Sequence, residues 1–130
     1  MSFTLSQTLL SSAEIGLSAL SAVLDKAAAF ASAKKIDESV LLNYRLAPDM
    51  FALTRQVQIA WSSIDGAGER EITFPLGPTN KGHMKGVDFL NHFVLPNFYF
   101  HLTAAYALLR HCGVEIGKRD FLGTIPLRLS

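Results

Sequence analysis

The feature that most constrains this chain is a helical periodicity that runs through residues 6–33. Apolar residues recur there at steps of three and four, the spacing of one face of an amphipathic α-helix. The cations Lys34 and Lys35 suit the C-terminal end of that helix. Gly16 lies inside it at a cost of about 1 kcal/mol relative to alanine, which either a close helix crossing or simple tolerance would explain. The apolar positions are Leu9, Leu10, Ala13, Leu17, Leu20, Leu24, Ala27 and Ala31.

A second helix and a hairpin are predicted in the middle of the chain. After a connector at 36–46, in which Asp37 caps a short turn, Pro48 occupies a favourable position in the first turn of a helix. Residues 71–74 alternate polar and apolar like a half-buried strand, and residues 83–85 form a candidate return strand. Turn-forming residues fill 65–68 and 75–82. The second helix would present Met50, Leu53, Val57, Ala60 and Trp61 on its apolar face.

The last long element is predicted to begin at Asp88 as N-cap and to end at His111, with Gly113 as the left-handed stop. Pro96 lies in its interior and predicts a kink or a break there. The segment 116–130 is expected to be loop with a short turn. The predicted fold class is therefore all-α: residues 1–130 form a single helical-bundle domain with a small β-hairpin inserted.

Composition excludes several classes of function. With 49% hydrophobic and 18% charged residues in 130, the chain is neither disordered nor larger than one domain. The net charge is +1 and the basic residues are scattered, so no nucleic-acid partner is expected. The single cysteine, Cys112, excludes a disulfide framework within the chain. No HExxH, CxxC, P-loop or GxSxG motif occurs.

Neither a membrane span nor a signal peptide is expected. Residues 89–109 carry no formal charge and are long enough to cross a bilayer, but they contain Asn91, His92, Pro96, Asn97 and His101, which are costly in hydrocarbon. The N-terminus lacks a basic region and places Glu14 where an apolar run should lie. We therefore expect a cytoplasmic protein.

The candidate functional residues lie on the last helix. Asn97 and His101 are one turn apart on its apolar face, so both should point towards the core. A buried histidine of this kind is either hydrogen-bonded within the core or a ligand for a metal ion or small molecule. Gln58 and Tyr106 complete the candidate ligand-binding set. His92, a quarter-turn away, is the other candidate metal ligand beside His101.

Aromatic residues are concentrated at the start of the same helix. Residues of this type at helical spacing pack in a core or form an oligomer interface, and we expect a homodimer here. The cluster consists of Phe89, Phe93, Phe98, Tyr99 and Phe100.

Several segments resemble an uncharacterised bacterial domain-of-unknown-function family of the DinB/YfiT-like superfamily of four-helix bundles. They are LAPDMFALTRQVQIA (46–60), REITFPLG (70–77) and VDFLNHFVLPNFYFHLTAAYALLRHCGVEIGKRDFLG (87–123). The superfamily commonly binds a divalent metal through three histidines, one on the second helix and two in an HxxxH on the last. The resemblance aligns His101 with the second histidine of HxxxH and Asn97 with the first. The second helix offers Gln56 and Gln58 but no histidine.

The resemblance implies an incomplete site for zinc or nickel, since imidazole is a far better ligand than an amide. The leading interpretation is a small-molecule or weak metal-binding module with no firmly expected cofactor. One alternative is a metal-dependent enzyme, of thiol transferase, isomerase or hydrolase type. The other is a structural protein-interaction module.

The family also carries tens of residues between the equivalents of Ala60 and Ile64, completing the second helix and forming the third. Here Trp61, Ser62 and Ser63 bridge that distance. A natural deletion, an engineered deletion and an omitted segment each account for this. If the chain is continuous, a dimer that shares a helix would cover the exposed apolar faces.

Overall fold

The computed structural model of the chain describes residues 5–62, 72–84, 86–126 and 128. Its fold is mostly helical, as predicted, with one antiparallel hairpin in which Ile72 pairs with Met84 and Leu76 pairs with Asn80. The predicted turn at 65–68 and the hairpin residues Glu71 and Lys85 lie outside the described residues. The elements are α1 (Leu5–Lys34), α2 (Glu38–Leu42), α3 (Leu53–Ser62), β1 (Ile72–Leu76), β2 (Asn80–Met84), α4 (Gly86–Phe89), a π turn (Leu90–Val94), α5 (Leu95–His111) and α6 (Lys118–Leu122).

The predicted ends of α1 and α5 and the predicted cap of α2 are confirmed. The Asp37 carboxylate accepts a hydrogen bond of 2.8 Å from the Ser39 N–H and so caps α2. Gly113 adopts φ of 96° after the end of α5, a left-handed conformation that favours glycine. The predicted short turn in the C-terminal segment is α6.

The expected start of the second helix at Pro48 is wrong. Residues 46–50 form turns, and α3 begins only at Leu53. Among the hydrogen bonds that hold this segment, the Leu53 N–H donates to the Tyr44 carbonyl, and the Arg45 guanidinium donates to the Met50 carbonyl. Met50 therefore precedes the helix, and Trp61 at its far end is 69% exposed instead of lying on the buried face.

The helical path runs through Pro96 without a break. The preceding π turn contains a hydrogen bond from the Leu95 N–H to the Leu90 carbonyl, and Pro96 then occupies the first turn of α5. Proline has no N–H to donate, which is tolerated in the first turn of a helix. A π turn is one of the recognised causes of a kink. The helix begins at Gly86, so Asp88 lies in its first turn and is not the predicted N-cap.

The core forms where α3 and α5 pack together and α1 crosses α5. Phe98, Leu108, Leu109 and Leu53 are among its largest fully buried side chains. The short helix α6 lies against α1, where Lys26 forms an ion pair of 2.6 Å with Asp120. Asp120 also accepts a hydrogen bond from the Gly117 N–H, so one carboxylate both caps α6 and ties it to α1.

By length and composition, one described helical stretch would pass as a membrane span. It is Ser11–Lys34 within α1, with a mean hydropathy of 1.3 in its most apolar window. The core helix of a soluble protein and a signal sequence share this length and composition. In this fold α1 packs against α5 and α6.

Gly16 lies at the crossing of α1 and α5, which explains a glycine inside a long helix. A Cβ atom built there would lie 3.0 Å from Cζ and 3.1 Å from Cε1 of Phe98. Phe98 is only 2% exposed, so its ring has little room to move.

We expect Gly16→Ala to lower the free energy of unfolding by about 1 kcal/mol, although alanine is the better helix former, because the new methyl group overpacks Phe98. In a Phe98→Leu background the same substitution should be neutral or stabilising. Urea denaturation of the four proteins of this double-mutant cycle measures the coupling. Equal effects in both backgrounds would contradict the close crossing as the reason for the glycine.

Candidate functional site

His101 is hydrogen-bonded to a glutamine on the neighbouring helix. Its Nδ1 lies 2.6 Å from Oε1 of Gln56, so the bond joins α5 to α3. Both side chains are buried, with 8% of His101 and 1% of Gln56 exposed. Buried polar groups require such partners, because leaving one unpaired costs about 1–3 kcal/mol.

The Gln56 amide fixes the tautomer of His101. The Nε2 atom of Gln56 donates a hydrogen bond of 3.2 Å to the Phe51 carbonyl, which leaves Oε1 to face the imidazole. An amide oxygen only accepts, so Nδ1 of His101 carries the proton and donates it. In the neutral ring, Nε2 of His101 then holds the free lone pair.

The surroundings of His101 favour the neutral imidazole. Burial lowers its pKa below the ordinary value, and the positive charge of Arg55 lowers it further. A neutral ring with one N–H fixed by an oxygen acceptor is oriented in the way that protein groups orient imidazole ligands of metals. The same arrangement also suits a purely structural pair.

The structure does not bring the other predicted site residues into this pair. Gln58 is exposed, and its Oε1 accepts a hydrogen bond of 3.4 Å from Arg55. His92 is exposed on the π turn. Tyr106 packs its ring edge-on against Phe121 of α6, with centroids 5.7 Å apart. Asn97 is half-buried one turn before His101.

Within the described parts of the chain, no group of three or more histidine, cysteine, aspartate or glutamate residues could hold a metal ion. His101 therefore belongs to no such group in those parts. The side chain hydrogen-bonded to it, the Gln56 amide, is a weak ligand for zinc and nickel.

The candidate ligand-binding set drawn from the sequence includes Gln58 and not Gln56, whereas in the structure Gln56 is the glutamine hydrogen-bonded to His101. The signal that identifies Gln56 is its spacing from Leu53 and Ala60, three residues after one and four before the other. Those two residues are buried, so a glutamine between them at helical spacing must also face the core.

Fold and site together define a class of protein: a small helical bundle in which a histidine of the long helix α5 is hydrogen-bonded across the core to a neighbouring helix. Among solved structures, the chain is similar to a DinB family member protein from Shewanella denitrificans. The two are 31% identical, with a TM-score of 0.79 over 94% of this chain and 93% of that one. This similarity confirms the DinB-like fold.

The chain belongs to the family described as a domain of unknown function, DUF1993, which it matches over residues 5–67 and 61–122. The two matched stretches meet at residues 61–67, the region where the resemblance expects additional family residues. No protein of curated function matches the chain.

We expect Gln56→Leu to lower the free energy of unfolding by about 2 kcal/mol, since it leaves the buried N–H of His101 without an acceptor. Gln58→Leu is the matched control two residues away on the exposed side, and it should change stability by no more than about 0.5 kcal/mol. Chemical denaturation measures both. Equal effects of the two substitutions would contradict the structural importance of the pair.

Proposed function

We propose that the chain is a binding module that pairs with a second copy of itself through one side of the helical segment formed by α4, the π turn and α5. The observation that carries this proposal is the aromatic face, defined here as Phe89, Phe93 and Phe100. The rings of Phe89 and Phe93 are stacked, with centroids 5.2 Å apart. Phe93 is 38% exposed and Phe100 is 58% exposed.

Their spacing supports a single surface. Phe93 follows Phe89 by four residues and precedes Phe100 by seven, so the three lie on about the same side of the helical segment. The exposed residue Pro96 lies between them on that side, and Thr103 extends it. The aromatic face is therefore continued by uncharged residues along about four helical turns.

Charge supports a copy of the same chain as the partner. A symmetric dimer brings residues near its two-fold axis close to their own counterparts, so a charge at the axis would be repelled by its copy. Residues 89–109 contain no aspartate, glutamate, lysine or arginine. Such a surface can pair with itself without this penalty.

The exposed area is compatible with a weak dimer. Phenylalanine side chains offer about 150–250 Å² each, so Phe93 and Phe100 together expose on the order of 200 Å² of ring surface. A small specific interface buries about 600 Å² on each partner. The two rings would supply about a third of that area at its centre, where binding energy concentrates.

The test is the oligomeric state of the wild type and of a Phe93→Ser/Phe100→Ser variant, measured by sedimentation velocity up to about 100 μM, which covers micromolar dissociation constants. We expect the wild type to form a dimer. In the variant the dissociation constant of that dimer should be at least tenfold higher, which corresponds to about 1.4 kcal/mol. Val40→Ser, at a residue 54% exposed on α2, is the control and should leave the dimer intact.

A monomeric wild type at the highest concentration would overturn this proposal, as would a variant that dimerises like the wild type. Thermal denaturation of each variant establishes that it is folded.

A second proposal is ligand binding at His101, for which the carrying observation is the lone pair that the fixed tautomer leaves on Nε2. Such an atom accepts a hydrogen bond from a small molecule or coordinates a divalent ion weakly. The metal-dependent enzyme alternative depends on this same atom.

Calorimetric titration of the protein with zinc and with nickel tests this proposal. We expect weak binding that is lost in His101→Ala and retained in His92→Ala, because His92 lies on the exposed side of the π turn. Equal binding by wild type and His101→Ala would remove the proposal. Tight stoichiometric binding would instead favour the enzyme.

A further inference from the structure

A small apolar groove lies between α1, α2 and α3, away from the aromatic face and from His101. Its volume is about 230 Å³, below the roughly 300–1,000 Å³ of sites for drug-sized ligands. A ligand for it would therefore be small. The walls are aliphatic, with one carboxylate at the rim; they include Leu24, Ala28, Leu41, Leu42, Leu53 and Glu38.

The groove exists because α1 presents short side chains there. Ala28 is exposed, whereas Leu41 and Leu53 close the groove from α2 and α3. A longer side chain at position 28 would fill the space that the alanine leaves open.

Two other grooves border α1, and both differ in chemistry. One, of about 630 Å³, is lined by charges of both signs, among them Glu14, Arg119 and Asp120. The other, of about 570 Å³, contains Lys26, Lys34 and Glu115. Charges of both signs in one groove select no particular ligand charge, whereas the apolar groove has a single ionisable group in its lining.

The charge at the rim is negative. Glu38 is exposed, and no hydrogen bond or ion pair to another described residue occupies its carboxylate. Asp37, beside it, keeps its charge because its hydrogen bonds with Ser39 lower its pKa. Lys34, near the end of α1, lines a different groove.

From the aliphatic walls and the negative charge of Glu38 we propose that the groove binds a small organic cation, which has a compact aliphatic body and a primary ammonium group. The body fills the space against Leu41, Leu42 and Leu53, and the ammonium donates to the Glu38 carboxylate. An ammonium close to apolar walls is less screened than one in water, so the charge pair adds to the binding of the body.

The probes are cyclohexylammonium, cyclohexanol and cyclohexanecarboxylate, which share one ring and differ in charge. Amide chemical shifts of the labelled protein follow each titration. We expect cyclohexylammonium to bind with a dissociation constant of about 1 mM, by the usual affinity scale. Cyclohexanol should bind several-fold more weakly, and the carboxylate should not bind. The shifts should cluster on α1, α2 and α3.

Three variants test the assignment of residues. Ala28→Leu should weaken cyclohexylammonium binding at least tenfold by filling the groove. Ala29→Leu is its matched control, since Ala29 lines another groove, and it should bind like the wild type. Glu38→Gln should abolish the preference for the amine over the alcohol while retaining binding of the alcohol.

Equal affinity of the wild type for amine and alcohol would overturn the charge preference. Unchanged binding by Ala28→Leu would overturn the site itself. Because Ala28 and Glu38 are both exposed, these variants should fold, and their thermal denaturation verifies it. Neither outcome depends on dimerisation or on His101.

Discussion

The hydrogen bond between Gln56 and His101 is the interaction on which the arrangement of the bundle depends. It joins the short helix α3 to the long helix α5 across a region from which water is excluded. Apolar packing alone is tolerant of small shifts, whereas a buried polar pair is stable only in one alignment, because any slip leaves both groups without partners. The bond therefore fixes the register between the two helices. It also fixes the imidazole tautomer. The same bond that joins the two helices therefore leaves the lone pair on Nε2 of His101, the candidate ligand atom.

Pro96 and the π turn before it set the other constraint, which is the direction of the aromatic face. Proline supplies no N–H to the carbonyls of the preceding turn, and the helical path accommodates it through the bond from Leu95 to Leu90. The burial of the aromatic cluster on the same segment follows from helical spacing, because residues two apart in a helix point to opposite sides. Phe98 is in the core at the crossing with Gly16, while Phe93 and Phe100 remain exposed. The cluster that sequence treats as one unit thus divides into a core residue and a surface.

Much of the fold could be predicted from sequence because the signals are local. The periodicity and alanines of α1, the Asp37 cap and the Gly113 stop each act within a few residues. The start of α3 could not be predicted in this way. Pro48 is a local signal for the start of a helix, but the bonds from Leu53 to Tyr44 and from Arg45 to Met50 hold the chain in turns there instead. Of the site, His101 was found by its spacing. Its partner Gln56 has the spacing of a core residue between Leu53 and Ala60, but glutamine is mostly exposed in proteins, so its residue type conceals that signal.

The length of α1 relative to its neighbours explains why the described grooves border it. At 1.5 Å per residue its 30 residues span about 45 Å, whereas the 10 residues of α3 span about 15 Å. Helices α2 and α6 have five residues each and cover only one turn or so. A long helix covered by short pieces is left with a cleft wherever one piece ends and the next begins. The chemistry of each cleft then follows from which short piece forms it. Charged α6 makes one polar groove, and the leucines of α2 make the apolar one, with Glu38 at its edge.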